Sequence, residues 1–125
     1  MNFIKTQDAL KVNGHYSQAV EHNGMIFISG ILPFNNETGE FVNGTIEEQV
    51  KAVFSNLDHI LEAGGSDKSK VLKTTVYIPG IELWNKVNDL YSEYFGTHKP
   101  ARSIVPTNDL HFNANIELEA IAYKE

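Results

Sequence analysis

There is no cysteine in these 125 residues. Disulfides, thiolate metal sites and cysteine nucleophiles are therefore excluded. Cationic side chains are also scarce: 10 Lys and Arg stand against 16 Asp and Glu, for a formal charge of −6. That balance argues against a nucleic-acid partner, which calls for a basic face that displaces counterions. No apolar run is long enough to span a bilayer, so no membrane partner is expected. The opening Met1-Asn2-Phe3-Ile4-Lys5-Thr6 lacks the basic region and apolar core of a signal peptide, and a cytoplasmic location is the default expectation. The five histidines (His15, His22, His59, His98 and His111) form no pair at helical spacing and have no acidic cluster beside them, so no metal is expected. Nucleophile elbow, phosphate loop and dinucleotide fingerprint are missing as well.

What is present suits one globular domain over residues 1–125: hydrophobic residues make up 42% and charged residues 21%. Residues 1–14 carry no clear pattern. Tyr16–Val20 and Met25–Gly30 are two extended runs joined across Asn23-Gly24, which predicts a hairpin. The second run is continuously apolar, as in a strand buried on both faces. Residues 34–44 hold Asn35-Asn36, Thr38-Gly39 and Asn43-Gly44 and read as a loop with room for a small hairpin. Thr45 then caps a helix, with Glu47 and Glu48 in its first turn. Ile46, Val50, Val53, Phe54, Leu57, Ile60 and Leu61 make its apolar stripe, and Gly64-Gly65 stops it. A β-branched strand, 71–78, closes on Pro79-Gly80. A second helix carries Leu83, Val87, Leu90, Tyr91 and Tyr94, with Gly96 just past its end.

Two more strands follow. The first starts within Lys99-Pro100-Ala101-Arg102-Ser103-Ile104-Val105-Pro106. The last, 115–123, alternates, with Ile116, Leu118, Ala120 and Ala122 on one face and Glu117, Glu119, Ile121 and Tyr123 on the other. The order predicts an α+β fold: one mixed sheet with two helices packed on one face. Two helices cover only one face, and no further segment is left for the other. A second copy of the chain is the simplest cover.

The candidate chemistry lies beside turns and strand ends, in Tyr16, Ser17, Ser29, Arg102 and Glu119. Pro100 forces a turn, so Arg102 sits at a strand start on a stiff support. There it is either a solvated surface arginine or a clamp for a carboxylate. Glu119 shares its parity with Glu117. A solvated strand face explains both; a buried interface would instead let Glu119 orient or deprotonate water. Tyr16 and Ser29 complete this polar set, in which a hairpin tyrosine is more often a packing residue.

Gly14-His15-Tyr16-Ser17-Gln18-Ala19-Val20, Phe27-Ile28-Ser29-Gly30-Ile31-Leu32-Pro33, Lys73-Thr74-Thr75-Val76-Tyr77-Ile78, Tyr91-Ser92-Glu93-Tyr94-Phe95, Pro100-Ala101-Arg102-Ser103 and Ile116-Glu117-Leu118-Glu119-Ala120-Ile121-Ala122 together resemble the Rid family, also called YjgF, of reactive intermediate imine/enamine deaminases. The resemblance implies a chorismate-mutase-like fold and a homotrimer with clefts between subunits. It implies hydrolysis of enamines and imines such as 2-aminoacrylate and 2-aminocrotonate to 2-keto acids and ammonia, without a cofactor. By the same resemblance Arg102 binds the substrate carboxylate, Glu119 handles the attacking water, and Tyr16 and Ser29 help to bind the substrate. The chain departs from the family pattern at His15, Ile31, Ile104 and the link 106–114; Ile31 and Ile104 make part of the expected cleft more apolar. The alternative for the same residues is a binding protein for a small carboxylate such as a 2-keto acid, without turnover.

Overall fold

The computed structural model describes residues 1–125. Its elements, in order, are β1 (Asn2–Ile4), β2 (Ala19–His22), β3 (Met25–Ile31), α1 (Ile46–Ala63), β4 (Val71–Ile78), α2 (Trp84–Phe95), β5 (Ala101–Pro106) and β6 (Glu117–Tyr123). The strands form a single mixed sheet in the order β1-β2-β3-β6-β4-β5. Only the β4–β5 pair is parallel, and α2 is the crossover that such a pair requires. No helix is long and apolar enough to cross a membrane.

Local chemistry explains most of the boundaries. Asn23 and Gly24 both take positive φ, 52° and 80°, as a two-residue hairpin turn matched to strand twist demands. At the start of α1, the Glu48 N–H donates to the Thr45 hydroxyl, and the Thr45 N–H donates back to the Glu48 carboxylate. This reciprocal cap satisfies two donors that the helix leaves orphaned. Phe34 and Phe41 bridge in antiparallel fashion, so the 34–44 loop does hold a rudimentary hairpin.

The core lies between the helices and one face of the sheet. Ile26, Ile28, Val76, Leu118 and Ala122 meet Val53, Leu57 and Leu61 of α1 and Val87 of α2. All four apolar residues assigned to the inner face of β6 are buried there. The opposite face is open within one chain. Phe27 is 46% exposed, and its cross-strand neighbour Ile121 is half-buried.

The sequence does not predict β1, and β2 starts three residues later than the run from Tyr16. The reason is Gln18, buried ahead of β2. Its side chain accepts from Thr6 N–H at 2.7 Å and donates to the Thr6 and Leu10 carbonyls at 3.1 and 2.8 Å. It thereby holds the N-terminal segment across the sheet end. Asn56, fully buried in α1, fixes the same segment from the other side. It accepts from Leu10 N–H at 2.7 Å and donates to the Phe34 and Ala52 carbonyls at 2.7 and 2.9 Å. No buried side-chain polar atom lacks a partner.

Candidate functional site

Arg102 is the second residue of β5, the edge strand. It pairs with Thr74, which is fully buried and hydrogen-bonded to the Tyr91 hydroxyl at 2.7 Å. Paired residues project to the same face, so Arg102 points towards the helices. Its Nη1 donates to Asn88 Oδ1 at 2.9 Å. The guanidinium also lies 4.8 Å from the centre of the Tyr91 ring and 5.6 Å from that of Trp84. Each such aromatic contact contributes about 0.5–1 kcal/mol at a partly exposed site. No carboxylate pairs with Arg102. Its fork is held in place yet not neutralised. Burial raises the Tyr91 hydroxyl above its ordinary range despite the opposing Thr74 bond and Arg102 charge, so the phenol stays neutral beneath the cation. In front of Arg102 is a cleft of about 400 Å³, bordered by Asn88, Ser92, His98, Lys99 and Pro100.

A second group of residues sits at the far end of β3. The register of β3 against β6 shifts between Ile28 and Ile31, and Ser29-Gly30 occupies the irregularity. The Ser29 hydroxyl donates to the Ser17 carbonyl at 2.6 Å, and its N–H donates to the Gln18 carbonyl at 3.0 Å. Tyr16, about half exposed, and Ser29 border one small recess together with Gly30 and Ile31. A Cβ at Gly30 would come within 2.2 Å of Glu117 Oε2. The missing side chain is what lets the Glu117 carboxylate approach the Ser29-Gly30 backbone.

Glu117 and Glu119 both lie on the open face, as their parity requires, but in different surroundings. Glu117 is half-buried. Burial, and then the charge of Glu119, raise its carboxyl above the usual carboxylate range, while His111 acts in the opposite direction. Glu119 is exposed and accepts a hydrogen bond from the Tyr77 hydroxyl at 2.6 Å. That bond, ahead of desolvation, raises the Tyr77 phenol.

Tyr16, Ser29 and, through Gly30, Glu117 thus form one group. Arg102 does not join them within a chain. It lies on the other side of the sheet from Glu117 and Glu119 and three strand positions from β3, roughly 14 Å at the usual interstrand spacing. Sequence spacing does not single out Trp84 or Asn88, and it places Tyr91 in the core stripe of α2. A signal was there: the three recur at helical spacing, so polar-tipped side chains share a face of α2.

The endoribonuclease L-PSP family model matches residues 6–124. A crystal structure of a putative endoribonuclease from Thermotoga maritima is 49% identical, with a TM-score of 0.95 over 100% of this chain and 98% of that one. Human 2-iminobutanoate/2-iminopropanoate deaminase is 38% identical over 119 residues, which cover 95% of this chain and 87% of the human protein. Escherichia coli TdcF, solved with bound serine, is 30% identical, with a TM-score of 0.93 and 100% of both chains covered. With almost its whole length matched by sequence and by structure, the chain belongs to the endoribonuclease L-PSP family, the group also called RutC, RidA or YjgF.

Proposed function

We propose that this protein is a hydrolytic deaminase of reactive 2-imino acids and their enamine tautomers, such as 2-aminoacrylate and 2-aminocrotonate, and releases 2-keto acids and ammonia. What supports the reading is a pair of polar places on different surfaces of the chain, which fit the two ends of one small molecule. A preorganised, unpaired guanidinium faces one side of the chain, and a half-buried carboxylate beside a bulge faces another. An imino acid has matching ends: a carboxylate for Arg102 and an electrophilic carbon for water.

The chemistry follows from those ends. Arg102 binds the substrate carboxylate through its donor fork and fixes the distance to the imine carbon. Water adds to the carbon of the protonated imine as a carboxylate takes its proton. The same carboxyl returns that proton to the carbinolamine nitrogen, the C–N bond breaks as the hydroxyl becomes the keto oxygen and gives its proton to solvent, and ammonia leaves. The resemblance assigned this role to Glu119. We assign it instead to Glu117, which is half-buried, is pushed by burial above the usual carboxylate range, and lies against the Ser29-Gly30 bulge. Glu119, engaged with Tyr77, then tunes Glu117 by its charge. Tyr16 and Ser29 line the pocket around the reacting carbon.

Two halves on different surfaces meet when copies associate head to tail, and such contacts form a ring where the rotation closes. A homotrimer of the chorismate-mutase-like kind is the arrangement that we infer, with the open face around Phe27 turned inward. The relatives are named for two activities, deaminase and endoribonuclease. The net charge of −6 favours the first.

The test is ammonia release from 2-aminoacrylate generated in place by a serine dehydratase. Wild-type protein should accelerate it. Arg102→Ala should lose about a thousandfold in kcat/KM, about 4 kcal/mol of transition-state stabilisation. A folded wild-type protein that gives no acceleration would leave only the small-carboxylate binding role.

A further inference from the structure

The cleft in front of Arg102 has a charge that the rest of the chain does not. Asp and Glu outnumber Lys and Arg by 16 to 10, yet none of the nine residues around this cleft is acidic. Lys99 and Arg102 both border it, three positions apart on either side of Pro100. The ion pairs of the chain are Lys70–Asp67, Lys86–Glu47 and Lys124–Glu21, so neither cleft cation is neutralised. His98 borders the cleft as well, with Nε2 2.7 Å from the Val71 carbonyl. A carbonyl only accepts, so the proton is on Nε2. Nδ1 makes no hydrogen bond within the chain.

Arg102 alone suffices for the single carboxylate of 2-iminopropanoate or 2-iminobutanoate. Those molecules leave Lys99 unused and much of the cleft empty. We propose that the substrate class includes 2-imino acids with a second acid group on the side chain, the imines of dicarboxylic amino acids, with Lys99 binding the distal carboxylate. The inference rests on the deaminase reading above. The distal carboxylate lies against the basic strip that leads into β5, while the imine carbon faces the partner copy's carboxylate. Hydrolysis balances as for the simpler imines: one water is consumed, and one 2-keto dicarboxylic acid and one ammonia are formed. The enzymes that supply such substrates are dehydrogenases or oxidases of dicarboxylic amino acids, which release the imine before water reaches it.

The experiment compares two imines made in place: 2-iminoglutarate from a glutamate oxidase and 2-iminobutanoate from an amino-acid oxidase. Wild type, Lys99→Ala and Lys99→Arg are assayed for ammonia release in each. The expected result is a higher wild-type kcat/KM for 2-iminoglutarate. Lys99→Ala should lower that value at least tenfold, mainly through KM, and leave 2-iminobutanoate within twofold. Lys99→Arg should restore most of the loss. If wild type hydrolyses both imines without preference, or Lys99→Ala lowers both alike, the second-acid site is overturned and the deaminase reading stands. Hydrolysis of neither imine overturns both.

Discussion

The surroundings of Arg102 and of Glu117 are built on different principles. Around Arg102 the chain supplies everything: the Asn88 amide, the Trp84 and Tyr91 rings, and the Thr74–Tyr91 hydrogen bond that fixes the ring below. The Glu117 region lies on a face that one chain leaves bare, next to a half-exposed Phe27. The first region is preorganised by the core of its own protomer. In the proposed trimer, the second acquires its walls from a neighbouring copy. A half-site of the first kind tolerates dissociation, and one of the second kind does not.

The largest effect should come from denying the open face its cover. Phe27→Asp adds a charge to the middle of that face, and we expect loss of the oligomer by sedimentation and of deaminase activity together, with far-UV circular dichroism unchanged. A mixing experiment sharpens the same contrast. Arg102→Ala and Glu117→Gln, each nearly inactive alone, should regain activity when unfolded and refolded together. Equal mixing restores about a quarter of the sites if each is built from two chains. No recovery would overturn the shared site.

Glu117→Gln by itself should lower kcat about a hundredfold, within the range for loss of a general acid–base group. Glu119→Gln, whose partner is Tyr77, should cost less, which decides between the two carboxylates. Glu117→Gln should also be more stable than wild type at neutral pH. The folded protein binds the Glu117 proton more tightly than the unfolded chain does. Its stabilising share is therefore fully present below the unfolded carboxylate value and is lost as pH rises through the folded one. Melting curves should place the Gln variant above wild type near neutrality and merge with it in acid. Asn88→Ala comes next. It frees the guanidinium without removing it, so kcat/KM should fall about tenfold, mainly through KM. Thr45→Ala is the control far from either region: it should cost about 1 kcal/mol, roughly 4 °C in Tm, with activity unchanged.

Much of this architecture was readable from the residues because it rests on local signals. The Thr45 cap, the α1 stripe, Asn23-Gly24 and the alternation of β6 each act over a few positions, and each lies where its chemistry requires. The β1 strand escaped because three residues carry no period and owe their conformation to β2, 15 to 19 residues away. Arg102 was visible from Pro100, but its supports lie on α2, and strand spacing gives no view of a helix face. Glu117 and Glu119 have the same parity, so alternation could not rank them. What separates them is the shift in register at Ser29-Gly30, an irregularity on another strand.

The amide of Asn56 has a further consequence, for dynamics. Leu10 belongs to a stretch without regular structure, yet its N–H is bonded to a fully buried side chain in the middle of α1. That proton cannot meet solvent unless the helix and the segment part. In a hydrogen–deuterium exchange experiment Leu10 should persist as long as the amides of the α1 core, far longer than its neighbours in the same loop. The slowest-exchanging protons of this protein would then include one that no secondary-structure ladder protects.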